Sequence, residues 1–284
     1  MSILSENKEK LIDGKALATK IIDNVKEEIE INGYEPRLAS IIVERDRGSY
    51  TYQYWKEKKC AEVGIRYSLY AYPDPPDPSD VKNKILELNE NNDITGIMIQ
   101  LPLPSNYNKN DLLEVIASEK DVDGLNFVNV GRSYYNSNAF IPCAAEGIIR
   151  MLKEYNIDIR GKKAVVLGRG KLLGTPIAQL LEKENAIVTK LHSIAGKDDI
   201  KRELSSADLI ISATGRPRLI DTSFLKDDVV TIDCANTRQE REFFDDVFEK
   251  TSFFATAPGG VGPMTIAVLI NNILKALKLS IGVY

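Results

Sequence analysis

Short apolar runs recur along the chain, each followed by a stretch of helical period, and this alternation constrains the fold more than any other feature. The runs are Leu38 to Val43, Arg66 to Tyr72, Ile94 to Gln100, Lys162 to Gly168, Ala186 to Leu191, Leu209 to Ala213, Val229 to Cys234 and Ser252 to Ala257. Between them, helices are predicted from Ser49 to about Val63, from Ser79 to Leu88, from Ala144 to Tyr155 and through Ile177, Leu180 and Leu181. An earlier stripe, Leu17, Ile21, Val25 and Ile29, follows a possible cap at Asp13, and a last helix runs to about Leu277. Strands alternating with helices are joined by crossovers into parallel sheets, so an α/β fold is expected. The chain has 284 residues, enough for two domains or one large α/β unit. The proline-dense Tyr72 to Pro78 reads as a loop, whereas Asn126 to Ala139, rich in Asn, Gly, Ser and Tyr, reads as the boundary between two αβ series.

Charge and composition exclude several classes of function. The 37 basic and 41 acidic residues leave a formal charge of −4, which gives no drive toward nucleic acid or anionic lipid. No signal peptide is expected, because the amino-terminal stretch is charged by Glu6. The uncharged run from Thr251 to Leu274 is broken by Pro258, Gly259, Gly260, Gly262 and Pro263, so it reads as strand, turn and helix and not as a membrane span. Cys60, Cys143 and Cys234 are too widely spaced for a disulfide framework or a CxxC metal site, and a reducing cytoplasm fits them best. His192 is the single histidine. A metal site is therefore not expected, and acid–base work falls to Lys, Tyr, Asp or Glu.

The second αβ series opens with a strand running into Gly168-x-Gly170-x-x-x-Gly174 and then a helix. Glycines there let a turn approach a pyrophosphate, whose charge is received by N–H groups at the helix start. The trio alone fits a merely tight turn equally well; its place in a βαβ unit favours dinucleotide binding. An NAD site normally carries Asp or Glu at the end of the next strand. Here that strand ends Leu191-His192-Ser193-Ile194, with no acid before Asp198, while Arg169, Lys171 and Ser193 suit a 2′-phosphate. NADP is favoured and NAD stays open. Both cations also read as solvated loop residues, and His192 as a strand-end residue.

In the first series, Tyr52 and Lys56 stand at i, i+4 on one helix face, although Lys56-Glu-Lys-Lys59 alone reads as a solvated charged face. Gln100 ends a parallel strand, at the sheet edge where open α/β folds bind ligands. Lys120-Asp-Val-Asp123-Gly is an acidic turn that, in isolation, reads as a self-bonded Asx turn.

Taken together, Ser49-Tyr-Thr-Tyr52 with Lys56, Gly96 to Pro104 (GIMIQLPLP), Lys120 to Gly124 (KDVDG), Asn129 to Arg132, Pro142-Cys143, Gly168-Arg169 and Pro258 to Thr265 (PGGVGPMT) resemble the bifunctional methylenetetrahydrofolate dehydrogenase/methenyltetrahydrofolate cyclohydrolases, in family order over nearly the whole chain. The resemblance implies NADP-dependent oxidation of 5,10-methylenetetrahydrofolate to the methenyl cation and hydrolysis of that cation to 10-formyltetrahydrofolate. It implies a folate-binding catalytic domain over residues 1–138, joined by a C-terminal helix over 264–284 that packs back on it, and a Rossmann-type NADP-binding domain over 139–263, with the folate held in the cleft between them. It implies Lys56 as the proton carrier, its pKa lowered by desolvation, with Gln100 holding its amine and Tyr52 packing on substrate. Asp123 and Pro263 join the substrate site, and Gly168, Arg169, Gly170, Gly174, His192, Ser193, Thr214, Gly215 and Gly260 the cofactor site. A cytoplasmic homodimer is implied as well. Gly170 stands where the family usually has serine, and Asn126 where it has histidine. A dehydrogenase with weak hydrolytic activity and a non-catalytic NADP-binding regulator are the alternatives.

Overall fold

The computed structural model describes residues 8–43, 47–72, 74–135, 138–235, 237, 239–244 and 246–283, with the backbone alone described for 47–52. The chain divides into two compact units. One takes the chain up to Thr19 together with Pro142–Thr265, and the other Lys20–Ile141 together with Ile266–Tyr284.

The unit containing Lys20–Ile141 is built on a three-stranded parallel sheet ordered β2-β1-β3, with β1 at Arg37–Val43, β2 at Arg66–Tyr72 and β3 at Gly96–Ile99. The middle strand is buried along almost its whole length, which is why Leu38 to Val43 is nearly continuously apolar. Helix α1 (Gly14–Asn32) begins where the Asp13 carboxylate accepts from the Ala16 N–H at 2.9 Å, and it buries Leu17, Ile22, Val25 and Ile29. Helices α2 (Arg47–Glu62) and α3 (Pro78–Glu90) follow; Asp77 caps α3 through the Ser79 N–H, with Pro78 at its first position. Val81, Ile85 and Leu88 of α3 pack with Ile41, Ile97 and Ile99 in the main core, each such side chain contributing roughly 1.5–3 kcal/mol.

Two short helices complete the connection, α4 (Lys109–Val115) and α5 (Phe127–Tyr134). The second lies inside the segment expected to be an irregular boundary. Asn126 makes it a helix by accepting from the Val128 N–H at 2.7 Å, and the polar Asn129 and Ser133 are its buried residues, so the apolar stripe that announces a helix is missing.

The other unit holds a five-stranded, all-parallel sheet ordered β5-β4-β6-β7-β8, its strands at Lys163–Leu167 (β4), Ile187–Leu191 (β5), Leu209–Ser212 (β6), Val229–Asp233 (β7) and Thr251–Ala255 (β8). Helices α6 (Cys143–Glu154), α7 (Gly174–Lys183) and α8 (Lys197–Leu204) belong to it. From β4 the chain moves outward one way to β5 and the other way through β6, so the topological switch point lies between β4 and β6.

The amino-terminal stretch differs from expectation. The resemblance places residues up to Thr19 in the folate domain, but Leu11 bridges Phe254 beside β8, the Ile12 N–H donates to the Phe254 carbonyl at 2.8 Å, and a Cβ on Gly14 would lie 2.1 Å from the Gly260 carbonyl oxygen. Backbone pairing across such a separation leaves no local signature. The last helix, α9, spans Val261–Ser280 and starts before the expected residue 264; Pro263 is accommodated in its first turn because no N–H is needed there. From Ile266 onward it belongs with the three-stranded unit, where Asn272 donates to the Val122 carbonyl at 2.9 Å and Lys275 to that of Ala139 at 3.0 Å. The return of the C-terminal helix onto the first domain is therefore as expected. No helix among the described residues is long and apolar enough to cross a membrane.

Candidate functional site

On α2 the buried side chains Gln53, Lys56 and Cys60 recur at intervals of three and four residues. Lys56 is 9% exposed, and its Nζ donates to Gln100 Oε1 at 2.8 Å. Gln100 follows β3 and extends the ladder, its N–H donating to the Ile41 carbonyl at 2.8 Å. Its Nε2 donates to the Leu101 carbonyl at 2.8 Å, which fixes the amide so that oxygen, not nitrogen, meets the lysine. The helix and the sheet edge thus bring together two residues 44 positions apart. The Tyr52 side chain lies outside the described residues. Cys60, one turn from Lys56, has its thiol pushed up to about 12 by burial, against which the Lys56 charge pulls; it stays a thiol, not a nucleophile.

The KDVDG turn divides its labour. Lys120 donates to the carbonyls of Leu88, Asn89 and Asn91, closing the C-terminal end of α3. Asp121, 1% exposed, accepts from the N–H groups of Leu125 (3.2 Å) and Asn126 (2.8 Å) and from Asn129 Nδ2 (2.9 Å). Asn126 Nδ2 donates to the Leu113, Glu114 and Ile116 carbonyls, so it ends α4 while beginning α5. Asp121 is thus the aspartate consumed by nearby backbone donors, four and five residues on and not at the two-residue spacing of an Asx turn. Asp123 is half-buried and, among the described residues, takes no hydrogen bond from the protein.

Burial pushes the Asp121 carboxyl up to about 6, with its hydrogen bonds and the Asp123 charge as smaller influences. A raised native value means that the ionised form costs stability above pH 6 and that this cost disappears as pH falls toward the ordinary carboxylate range. Unfolding by urea should accordingly show a contribution on the order of 3 kcal/mol gained between pH 7 and pH 4. Asp121→Asn should lack that part of the pH slope; an identical slope in the two proteins would refute the assignment.

At the switch point, Gly168 has φ +106°, and a Cβ on it would sit 2.3 Å from the Ala213 carbonyl oxygen. A Cβ on Gly174 would sit 2.4 Å from the Gly168 carbonyl oxygen. Both glycines are obligatory, and they aim the start of α7 at the crevice. Gly170 has nothing within 4 Å of its Cβ position, so no packing demands glycine there. Arg169 and Lys171 are exposed on the same turn. A tight glycine cradle, a helix N-terminus and two cations fit a dinucleotide pyrophosphate with an additional phosphate. Beyond β5, Ser193 is exposed and His192 half-buried, its Nδ1 accepting from the Ile194 N–H at 3.4 Å.

Thr214 and Gly215 follow β6, but their donors face inward. The Glu242 carboxylate, 1% exposed, accepts from the Thr214 N–H (2.8 Å), the Gly215 N–H (2.7 Å), the Thr214 hydroxyl (2.6 Å) and the Ser212 hydroxyl. Sequence reasoning missed Glu242, because nothing near residue 242 marks it as an internal acceptor. Gly260 packs its backbone against Gly14, and Pro263 lies in the first turn of α9. Among the described residues no group of three or more His, Cys, Asp or Glu side chains could hold a metal ion.

Comparison with known proteins agrees with this geometry. A family model described as tetrahydrofolate dehydrogenase/cyclohydrolase, catalytic domain, matches residues 12–123, and its NAD(P)-binding counterpart matches residues 142–281. The bifunctional protein FolD of Campylobacter hominis is 42% identical over 277 residues, covering 94% of this chain and 97% of that protein. The crystal structure of the Trypanosoma brucei methylenetetrahydrofolate dehydrogenase-cyclohydrolase (FolD), complexed with NADP cofactor and inhibitor, superposes with a TM-score of 0.91 at 33% identity, over 95% of this chain and 98% of that one. The NAD-dependent 5,10-methylenetetrahydrofolate dehydrogenase of Saccharomyces cerevisiae gives 0.79 at 26% identity, over 95% and 96%. With its catalytic and nucleotide-binding halves both matched and its relatives aligned end to end, the chain belongs to the tetrahydrofolate dehydrogenase/cyclohydrolase family.

Proposed function

We propose that this chain oxidises 5,10-methylenetetrahydrofolate with NADP+ and hydrolyses the resulting 5,10-methenyltetrahydrofolate to 10-formyltetrahydrofolate. The observation that carries the reading is the buried Lys56 amine hydrogen-bonded to the Gln100 carbonyl oxygen. A carboxylate in place of Gln100 would hold the lysine as an ammonium ion; a neutral amide orients the nitrogen without fixing its charge. In the hydrolytic step water adds to the methenyl carbon and Lys56 takes one of its protons; as the bond from that carbon to N5 breaks, Lys56 returns a proton to N5 and the remaining hydroxyl proton is lost to solvent, leaving the formyl C=O. Asp123, which takes no hydrogen bond from the protein among the described residues, receives the donor edge formed by the pterin 2-amino group and neighbouring ring N–H. Tyr52 packs on the folate, and Pro263 borders it.

NADP+, when bound, supplies the hydride acceptor. Gly168 and Gly174 leave the space for its pyrophosphate, the start of α7 receives that charge, and Arg169 with Ser193 holds the 2′-phosphate. Gly170, His192, Thr214, Gly215 and Gly260 complete the cofactor surface. Since a Cβ at Gly170 meets nothing within 4 Å, Gly170→Ser should fold normally and tighten NADP+ roughly three- to tenfold relative to NAD+ through one added hydroxyl bond to phosphate. An unchanged NADP+/NAD+ ratio would argue against placing the 2′-phosphate at this turn.

The reading includes a cytoplasmic homodimer. The edge strand β2, with Leu69 exposed, supports pairing between copies, and the buried Cys60 and Cys143, neither of them in a disulfide, suit a reducing compartment. The test is reduction of NADP+ and of NAD+ with methylenetetrahydrofolate, followed alongside decay of chemically prepared methenyltetrahydrofolate. Both activities are expected; absence of NADPH formation would favour a non-catalytic scaffold, and methenyl decay at the uncatalysed rate a dehydrogenase alone.

A further inference from the structure

The turn after β6 has the makings of an anion site that is already filled. Three successive N–H groups, those of Thr214, Gly215 and Arg216, are all engaged, the first two by the Glu242 carboxylate and the third by Thr214 Oγ1 at 3.1 Å. Successive N–H groups of this kind form a nest that captures phosphate or carboxylate. Glu242 is held in turn: its own N–H donates to Asp233 Oδ2 at 2.9 Å, and the neighbouring Phe243 bridges Ile220. Ser212 and Thr214 hydroxyls complete its shell, so a buried carboxylate is satisfied by four donors.

The consequence concerns the crevice at the switch point. Gly168 lies so close to Ala213 that its missing Cβ would touch the Ala213 carbonyl oxygen, so the β4 turn and the β6 turn abut. The β4 turn presents two cations and the start of α7, whereas the N–H groups of Thr214, Gly215 and Arg216 and the Thr214 hydroxyl are engaged by Glu242 or within the β6 turn itself, so the backbone of that turn offers a ligand carbonyl oxygens, with the exposed Arg216 side chain beside them. We infer that Glu242 is a positioning residue for the dinucleotide: by filling the β6 nest it leaves the phosphates no backbone nest except the β4 turn and makes the backbone of the β6 turn an acceptor surface for the hydroxyl and carboxamide donors of the nicotinamide riboside half.

This inference rests on the dinucleotide reading above, and binding experiments on the full chain separate the two. NADPH is titrated by its fluorescence, and 2′,5′-ADP, which carries the adenosine phosphates without the nicotinamide half, by calorimetry. Glu242→Ala should weaken NADPH at least tenfold, leave 2′,5′-ADP within twofold, and make NADPH binding sensitive to millimolar inorganic phosphate, which the opened nest admits. Methenyltetrahydrofolate hydrolysis, which needs no dinucleotide, should stay within twofold. Glu242→Gln should rescue NADPH to within about threefold, because its oxygen can still accept from the backbone while the two hydroxyls rotate to accept from its amide. If the alanine protein does not fold, Glu242→Asp, which withdraws the carboxylate by one methylene, should weaken NADPH about fivefold with 2′,5′-ADP unchanged. NADPH affinity equal to the parent in the variants, or a parallel loss of NADPH, 2′,5′-ADP and hydrolysis, overturns the inference. Failure of the parent protein to bind NADPH overturns the dinucleotide reading with it.

Discussion

Lys56→Met should lower hydrolysis of methenyltetrahydrofolate about a thousandfold while leaving NADPH affinity within twofold of the parent. Positioned acid–base groups typically contribute about 10²- to 10⁴-fold; the single histidine, His192, belongs to the other unit, and Cys60, one turn from Lys56, holds its proton to about pH 12. Methionine matches the lysine stem in length and suits a position only 9% exposed, so the fold should survive with little change in unfolding midpoint. The residue left behind is Gln100, whose Oε1 loses its donor while Nε2 stays on the Leu101 carbonyl, at a cost of about 1–2 kcal/mol. Stopped-flow decay of methenyltetrahydrofolate, read beside NADPH titration, makes the comparison. Hydrolysis at the parent rate would remove Lys56 from the mechanism; equal losses of hydrolysis and NADPH binding would point to a folding defect.

How much of this site is legible in the sequence depends on the range of the interaction that builds it. The parallel strands announce themselves because they are buried on both faces, and Leu38 to Val43 or Lys163 to Leu167 can be little else. Lys56 and Gln100 are legible through motif and position: one lies on a helix whose buried face recurs every three or four residues, the other at the carboxyl edge of a strand. The short helices α4 and α5 escape because seven or eight residues show barely two turns of stripe, and their signal is a capping asparagine, Asn108 or Asn126, which reads equally as a loop residue. Asp121 and Asp123 look alike in sequence. Only the fold distinguishes Asp121, consumed by the N–H groups of Leu125 and Asn126, from Asp123, which takes no hydrogen bond from the protein among the described residues. Glu242 lies at the far limit: its donors come from a turn 27 to 30 residues earlier, and no local pattern encodes that meeting.

Gly174→Ala should abolish measurable dinucleotide binding, a loss of at least a hundredfold in affinity, although alanine is the better helix former. The added methyl would lie 2.4 Å from the Gly168 carbonyl oxygen, 2.7 Å from its carbon and 3.1 Å from the Arg169 nitrogen, all backbone atoms with no rotamer into which to retreat. Relief requires moving either the β4 turn or the first turn of α7. The β4 turn is pinned by the Gly168 N–H on the Leu191 carbonyl at 2.8 Å and by the tight approach of Gly168 to Ala213. The helix must therefore shift, taking with it the N–H groups that receive the pyrophosphate, and it carries the buried Ile177, Ala178 and Leu181. Strain of this kind typically costs about 1–3 kcal/mol of stability, so the midpoint of thermal unfolding should fall by several degrees while hydrolysis of methenyltetrahydrofolate persists in the folded fraction. Gly170→Ala, two residues after Gly168 and facing open space, is the control: it should bind NADPH within a factor of three of the parent. Equal affinity in the Gly174 and Gly170 variants would mean that the glycine turn does not receive the pyrophosphate, whatever the fold around it.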